Sequence, residues 1–450
     1  MIPNKNIFCN TPWFESHIYW DGTFGACCQE HHTIYSTNEK HVYNIKNMSI
    51  TEWMNSMPMR KTRMQMFGDK NLSICYRCQL EQNVSGTSRR HRSNAKSVIF
   101  TKQNFNESFE QSPHKESFKK SFENNGYIET YPIDLHIDLG NHCNLACKMC
   151  SPLASSKIAN QYQKWGIELS REKDGMKNDT NKILIDWTKD NTIWNKACEE
   201  IASFKNLNNV HFMGGETMLA NRFIDFCDFM IQRNKINFGM SFVTNGTIIN
   251  YELLDRLKKF KNRIGIEISI ETCTEHNGYI RQGTDTHEVL KNIDIMKKIC
   301  QENDWDITIR PAISILSVGH YHTLLQHCLD NKLLIKPLWV DSPQYMDVKN
   351  LPKDIANQYV KVYEKFIKDN DLENNQHQLD YNESDKNEYR TVIKKNIDSV
   401  LNKLKSEQYT DAETKLKELV HWCKRWDIIY KFDAKLLYPE FKEIFEKYEY

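Results

Sequence analysis

The sequence predicts an α/β protein with parallel strands, preceded by a small Cys-rich N-terminal module and followed by a helical C-terminal region. Three observations predict it. Between Ile133 and about Val340, short apolar runs of strand type alternate with amphipathic helical stretches. Five of the 14 cysteines fall in the first 78 residues, where helical periodicity is weak. Beyond residue 350, stretches such as TVIKKNIDSVLNKLK and DAETKLKELVHWCKRW read as helices separated by short breaks.

The composition bounds the function. A chain of 450 residues has room for about three domains, or for one large barrel with appendages. Lys and Arg number 60 against 59 Asp and Glu, a net charge of +1, which argues against a general polyanion or nucleic-acid binder. Hydrophobic residues at 40% supply a real core and argue against disorder. No run of about 18 apolar residues occurs, so no membrane span is expected. The opening MIPNKNIFCNTPWF lacks a basic stretch followed by an apolar one, so no secretory signal is expected and the chain reads as cytoplasmic. In a reducing compartment, thiols bind metal or do chemistry more often than they pair.

The elements follow in order. FESHIYWDGTFGACC reads as a hairpin turning at Asp21-Gly22. Ser49 to Phe67 reads as partly helical, with a start signal at Ser49 or Thr51. Thr101 to Tyr127 is polar and reads as a linker. Six strands are expected, at 133–139, 208–213, 236–245, 263–270, 307–316 and 333–340. Helices are expected at 221–233, 251–260, 287–299 and 320–329. Strand–helix alternation implies right-handed crossovers, closing as a partial barrel or lying open as a doubly wound sheet. The stretch Gly166–Trp187 looks like an insertion, and no internal repeat is visible. The expected division is 1–95 for the Cys-rich module, 96–130 for a linker, 131–345 for the α/β region and 346–450 for the helices.

Directly after the first of the six strands comes GNHCNLACKMCSP, which sets Cys143, Cys147 and Cys150 at C-x3-C-x2-C spacing. Three thiolates within eight residues can hold three irons of a cubic iron–sulfur cluster. Such clusters ordinarily take four cysteines, so one iron would be left for a non-protein ligand. On a barrel, this loop lies at the C-terminal mouth, where active sites form. Further along stand Gly214-Gly215-Glu216 after the second strand, Thr244-Asn245-Gly246-Thr247 after the third, Ser269-Ile270-Glu271 at the fourth, and Arg281 in YIRQG.

In these elements and their order, over about 133–340, the chain resembles the radical SAM superfamily. The resemblance implies a partial (β/α)6 TIM-like barrel. It implies a [4Fe-4S] cluster on Cys143, Cys147 and Cys150 whose open iron chelates S-adenosylmethionine, and reductive cleavage to a 5′-deoxyadenosyl radical that abstracts hydrogen from a substrate. It implies a reductant such as flavodoxin or ferredoxin. Met149, Gly214, Gly215, Glu216, Asn245, Ser269 and Arg281 become candidates for the cosubstrate pocket. Physically, the glycines allow backbone approach, Glu216 suits an ammonium, Met149 would pack on the adenine, and Arg281 would fork onto a carboxylate. The plain alternatives are a strand-to-helix turn for Gly-Gly and a first-turn acid for Glu216. Glu271 stands where the family usually has Asp.

The N-terminal cysteines read C-x12-G-x4-C…C-x2-C, with Cys9, Cys27, Cys75 and Cys78 as four ligands. Spacing alone suits zinc, and it also admits a second iron–sulfur cluster. Cys28 adjoins Cys27 and competes with it. The pattern resembles the SPASM/twitch modules attached to many radical SAM enzymes, with Cys9-Asn10-Thr11-Pro12-Trp13, Asp21-Gly22 and Trp53 all fitting. No further cysteine appears before Cys143, which suits the shorter twitch form with one auxiliary cluster. The usual order places this module after the barrel, and here it comes first.

Other features read as background. Cys198, Cys227, Cys300, Cys328 and Cys423 read as buried thiols, and Cys273, beside the barrel mouth, as packing or as a catalytic thiol. His31 and His32 are spare metal-ligand candidates. The run Ser88–Arg92 reads as a solvated charged face. The expected function is radical SAM chemistry on a peptide or protein substrate. The alternatives are the same chemistry on a small molecule or nucleic-acid base, and a non-catalytic iron–sulfur or zinc protein.

Overall fold

A computed structural model describes residues 2–30, 34–85, 88–96, 105–166, 186–373 and 388–450. Its strands are β1 (Glu15–Ile18), β2 (Phe24–Gly25), β3 (Asp134–Asp138), β4 (Ala146–Cys147), β5 (Asn209–Met213) and β6 (Gly239–Thr244). They continue with β7 (Ile264–Ile268), β8 (Arg281–Gln282), β9 (Asp306–Ile309), β10 (Ala312–Ile313), β11 (Leu334–Ile335) and β12 (Leu338–Trp339). Packing divides the chain into two units: Met1–Cys143 with Pro152–Val243 and Asn250–Gly265, and Asn144–Ser151 with Thr244–Ile249 and Ile266–Tyr450. Among the described residues, no helix is long and apolar enough to cross a membrane.

In the first unit the strand order is β6-β5-β3-β1-β2. The hairpin forms as expected, β1 and β2 antiparallel with Ile18 opposite Phe24, and Gly22 takes the left-handed turn conformation at φ 84°. The same strand β1 runs parallel to β3, with Glu15 opposite Asp134 and Ile18 opposite Ile137. The Cys-rich segment thus adds a strand to the α/β sheet. Alternation sorts the faces. Val210 and Phe212 of β5 are fully buried, and Phe212 meets Phe223 and Phe226 of the helix Asn221–Gln232. On the other face His17, His136 and His211 lie side by side on β1, β3 and β5.

The helix Ile50–Met54 starts on Ser49 through a reciprocal bond pair with Glu52, as its sequence predicts. The segment expected as a linker differs. It forms the helices Phe105–Glu110 and Lys115–Glu123, and Phe118 is fully buried against Phe8, Trp13 and Phe109. Three phenylalanines spaced along a polar stretch bury because the rest of their core comes from residues 8–14, far away in sequence. Arg63, also fully buried, ties this region by donating to Pro12 O at 2.9 Å and Gly126 O at 2.7 Å. The expected insertion at 166–187 lies largely outside the described residues.

In the second unit β9 lies between β7 and β11, and β9 and β11 run parallel. The fifth and sixth expected strands each come in two pieces, β9 with β10 and β11 with β12, interrupted at Pro311 and Pro337. Proline has no N–H for the ladder. The helix Thr286–Asn303 is capped at its start by Asp285, which accepts from the His287 N–H at 2.9 Å. The helices Lys353–Asp369, Glu388–Lys405 and Ala412–Tyr430 complete the unit. Mixed α/β architecture with parallel strands is the class that the sequence predicts, and the strand–helix alternation is that of a partial barrel.

Candidate functional site

The loop after β3 carries the three closely spaced cysteines. Cys143 is half-buried in the first unit, and its N–H donates to Ser156 Oγ at 3.3 Å. Cys147 and Cys150 belong to the second unit, where the Cys150 N–H closes a turn onto Cys147 O at 3.0 Å. There β4 pairs antiparallel with β8, so that Cys147 lies opposite Arg281. Arg281 Nη1 stands 3.7 Å from Cys147 Sγ.

The guanidinium of Arg281 is already engaged. Nε and Nη2 fork onto Glu271, the second at 2.7 Å from Oε1, and the same oxygen accepts the Ala312 N–H at 3.2 Å. Glu271 is fully buried. Burial opposes the charge on Arg281, but Glu271 and then Cys147 outweigh it and hold the group firmly protonated. The sequence expectation gave this fork to a ligand's carboxylate; the structure gives it to Glu271. A buried guanidinium demands an anion, and Glu271 is the carboxylate beside it.

Asn245 also faces inward, and its work is structural. Its Nδ2 donates to Asn144 Oδ1 at 2.8 Å, its Oδ1 accepts from Thr247 Oγ1 at 2.6 Å, and Asn144 Nδ2 donates to Thr247 Oγ1 at 2.9 Å. This triangle ties the cysteine loop to the turn after β6. Ser269 is half-buried and donates its N–H to Thr244 O at 2.9 Å. Met149 is half-buried.

Lys148, between two cysteines, gave no signal in the sequence. It is buried, and its Nζ lies 4.1, 4.7 and 5.1 Å from the ring centres of Tyr430, Trp426 and Tyr279. Burial pushes its ammonium down to about 7. Cys273 is held by its N–H to Thr323 Oγ1 at 3.0 Å, and burial pushes its thiol up to about 12. That environment makes a poor nucleophile.

In the first unit, Gly214 and Gly215 are forced by close backbone approach. Gly214 has φ 130°, and a Cβ there would sit 2.7 Å from Gly140 O. A Cβ on Gly215 would sit 2.1 Å from His142 O. Their strand end clasps the residues before Cys143: the Gly215 N–H donates to Gly140 O at 3.0 Å and the Glu216 N–H to His142 O at 2.8 Å. Glu216 is buried and caps the short turn Thr217–Leu219, accepting the Met218 N–H at 3.0 Å.

The N-terminal cysteines form a second group. Cys9 and Cys78 are buried, and Cys27, Cys28 and Cys75 half-buried. Burial pushes Cys9 up to about 11 and Cys75 up to about 12, and raises Cys27 and Cys78. Their charges act on one another: Cys9 and Cys78 raise Cys75, and Cys28 and Cys78 raise Cys27. Buried thiols that repel as anions ionise when a metal centre takes them. Among the described residues, which include all 14 cysteines, none is joined in a disulfide. Among the described residues, no three His, Cys, Asp or Glu side chains could hold a single ion. Ligands of one zinc converge on it at about 2.3 Å each, whereas cluster thiolates each take a different iron. Soft thiols in two groups are the donor set that iron–sulfur clusters take. Cys198, Cys227, Cys300, Cys328 and Cys423 are buried, as packing thiols should be. His31 and His32 lie outside the described residues.

The run Ser88–Arg92 is not a solvated face. It enters the helix Arg89–Lys96; Ser88 and Arg90 are buried, and Arg89 pairs with Glu15. The sequence signal was indistinct because buried and exposed arginines look alike in composition.

Two regions of the chain match known protein families. Residues 137–309 match the family model of the radical SAM superfamily, and residues 9–79 match SPASM, an iron–sulfur cluster-binding domain. No curated protein matches the chain. Among solved structures, native anSMEcpe with bound AdoMet aligns at 17% identity over 56% of this chain and 65% of that one, TM-score 0.38. Streptococcus suis SuiB bound to precursor peptide SuiA aligns at 14% identity over 73% and 66%, TM-score 0.35. The chain thus spans just under two thirds of the length of both. The chain thus carries a radical SAM region over residues 137–309 and, before it, an iron–sulfur cluster-binding domain of the SPASM type over residues 9–79.

Proposed function

We propose that this chain is an enzyme that reductively cleaves S-adenosylmethionine and uses the resulting radical to modify a peptide or protein. The observation that carries the reading is the three-cysteine loop after β3, with Arg281 set opposite Cys147. Cys143, Cys147 and Cys150 would hold a [4Fe-4S] cluster, and Cys9, Cys27, Cys75 and Cys78 an auxiliary one. When bound, the first cluster supplies the electron for cleavage and its open iron the anchor for the cosubstrate.

The chain's own residues bind and orient. Gly214 and Gly215 let their strand end close on the segment that leads into Cys143, and Glu216 offers a carboxylate to an ammonium. Asn245 keeps the cysteine loop in register, with Met149 on that loop and Ser269 at the end of β7 as further candidates for the cosubstrate. Arg281 stabilises the thiolate of Cys147 while Glu271 fixes its orientation. Nucleic-acid bases as substrates draw less support from a net charge of +1. The peptide reading rests on the pairing of a radical SAM region with a SPASM module. We assign the auxiliary module to residues 1–95 and the catalytic region to 131–345, and place the protein in the cytoplasm with a flavodoxin- or ferredoxin-type reductant.

The test is anaerobic reconstitution with iron and sulfide. The reading expects about two clusters per chain and release of 5′-deoxyadenosine on reduction with S-adenosylmethionine. A colourless zinc protein that leaves the sulfonium intact would refute it.

A further inference from the structure

We propose that Arg90 is the built-in counter-charge of the auxiliary cluster, a positioning residue that raises the reduction potential of the centre held by Cys9, Cys27, Cys75 and Cys78. The inference rests on the reading of those four cysteines as cluster ligands.

The helix Arg89–Lys96 touches this centre from several sides. Asn94 brackets Cys9: its Nδ2 donates to Phe8 O at 2.9 Å, and its Oδ1 accepts the Asn10 N–H at 2.9 Å. Ser93 O accepts from Asn10 Nδ2 at 3.0 Å. At the other end, Arg90 Nη2 donates to Gln82, which stands one turn beyond Cys78 on the helix Tyr76–Ser85. One helix therefore places the chain on both sides of Cys9 and one guanidinium against the helix that carries Cys78.

That guanidinium is out of place without an anionic neighbour. Arg90 is 3% exposed. Its Nη2 donates to the neutral Gln82 Oε1, and its Nε is buried with no partner. Among the described residues no carboxylate pairs with it. A buried cation needs an anion, and the cysteine group supplies one once it binds a centre with net negative charge. Arg89 is less suited: Glu15 already neutralises it, and its Nη2 also lies 3.1 Å from His136 Nε2. Adding an electron makes the cluster more negative, so a fixed positive charge beside it favours the reduced form.

The test uses the full chain carrying Cys147→Ala, reconstituted without oxygen, and then Arg90→Met, Arg90→Lys and Arg92→Met in that background. Iron and sulfide content and a redox titration followed by electron paramagnetic resonance are the readouts. Arg90→Met should lower the equilibrium constant for one-electron reduction at least tenfold, a shift of about 59 mV to lower potential. Arg90→Lys should stay near the parent, and so should Arg92→Met, whose arginine pairs with Glu81 at the surface. Loss of the cluster in Arg90→Met with retention in Arg90→Lys would equally support a charge role. Unchanged potential in Arg90→Met would overturn the proposal, as would loss of the cluster in both Arg90 variants, because shape and not charge would then be at work. If the parent itself binds no iron at the N-terminal cysteines, it is the ligand reading that has failed.

Discussion

Arg281 forks onto Glu271 with Nε and Nη2, one to each carboxylate oxygen, while Glu271 is fully buried and Nη1 lies 3.7 Å from Cys147 Sγ. The pair thereby joins the loop after β7 to the cysteine loop. Substituting Glu271 by Gln leaves the guanidinium buried without its counter-ion. Breaking a buried pair from one side costs about 3–5 kcal/mol. The Glu271→Gln chain should therefore unfold in urea at a clearly lower midpoint than the parent, with an unchanged slope. An unaltered midpoint would mean that the pair is not under load.

The three-cysteine loop predicts a separable loss. In Cys147→Ala the local turn onto Cys150 survives, because it runs through backbone atoms at 3.0 Å. The thiolate does not. Release of 5′-deoxyadenosine should fall below a hundredth of the parent, while roughly half the iron, that of the N-terminal group, remains. Iron analysis and product chromatography on one preparation decide it, and turnover near the parental rate would break the assignment of Cys147.

The clasp after β5 predicts a steric effect. At Gly215 a Cβ would fall 2.1 Å from His142 O, a backbone atom that cannot swing aside. The Gly215→Ala chain must displace the segment Gly140–His142 that leads into Cys143. Overpacking of this kind costs on the order of 1–3 kcal/mol. Calorimetry should show a lower Tm, and titration with S-adenosylmethionine at least a tenfold weaker Kd. Binding as tight as the parent's would show that the ligand does not depend on this clasp.

Much of this arrangement is legible in the chain. The four strands from Ile133 to Ile270 carry uninterrupted apolar alternation, and the structure has β3, β5, β6 and β7 there. The next two expected strands break at Pro311 and Pro337, residues that the sequence displays but that a run of apolar neighbours obscures. The helices at Phe105–Glu110 and Lys115–Glu123 escaped notice for a different reason. Their phenylalanines bury against Phe8 and Trp13, about a hundred positions away, which no local window samples. Arg90 and Lys148 escaped for the same reason: each is charged, and only distant partners bury it. The cysteines were legible because their chemistry depends on spacing, and spacing is local.

His276 predicts how stability responds to acid. Its ring stacks on His320 with centroids 3.5 Å apart, and its Nε2 lies 2.8 Å from Leu437 O. A carbonyl oxygen only accepts, so Nε2 carries the proton and Nδ1, 2.9 Å from Thr274 Oγ1, accepts. A second proton would have to enter a buried site beside another imidazole. Burial, and then His320, push His276 down from 6.5 to about 4. Tyr438 packs on the ring as well, and Glu440 reaches His320 Nε2 at 3.6 Å, so the nearby carboxylate only partly offsets the penalty. Between pH 6.5 and 4 the unfolded chain holds more protons at this residue than the folded one, so stability falls as the pH drops through that window and levels off below it. In His276→Gln the contribution of this group disappears, while every other titrating group remains. Urea midpoints at pH 7.5, 5.5 and 4.5 should therefore converge between parent and variant as the pH falls, the parent losing more. Parallel lines would place the acid sensitivity elsewhere.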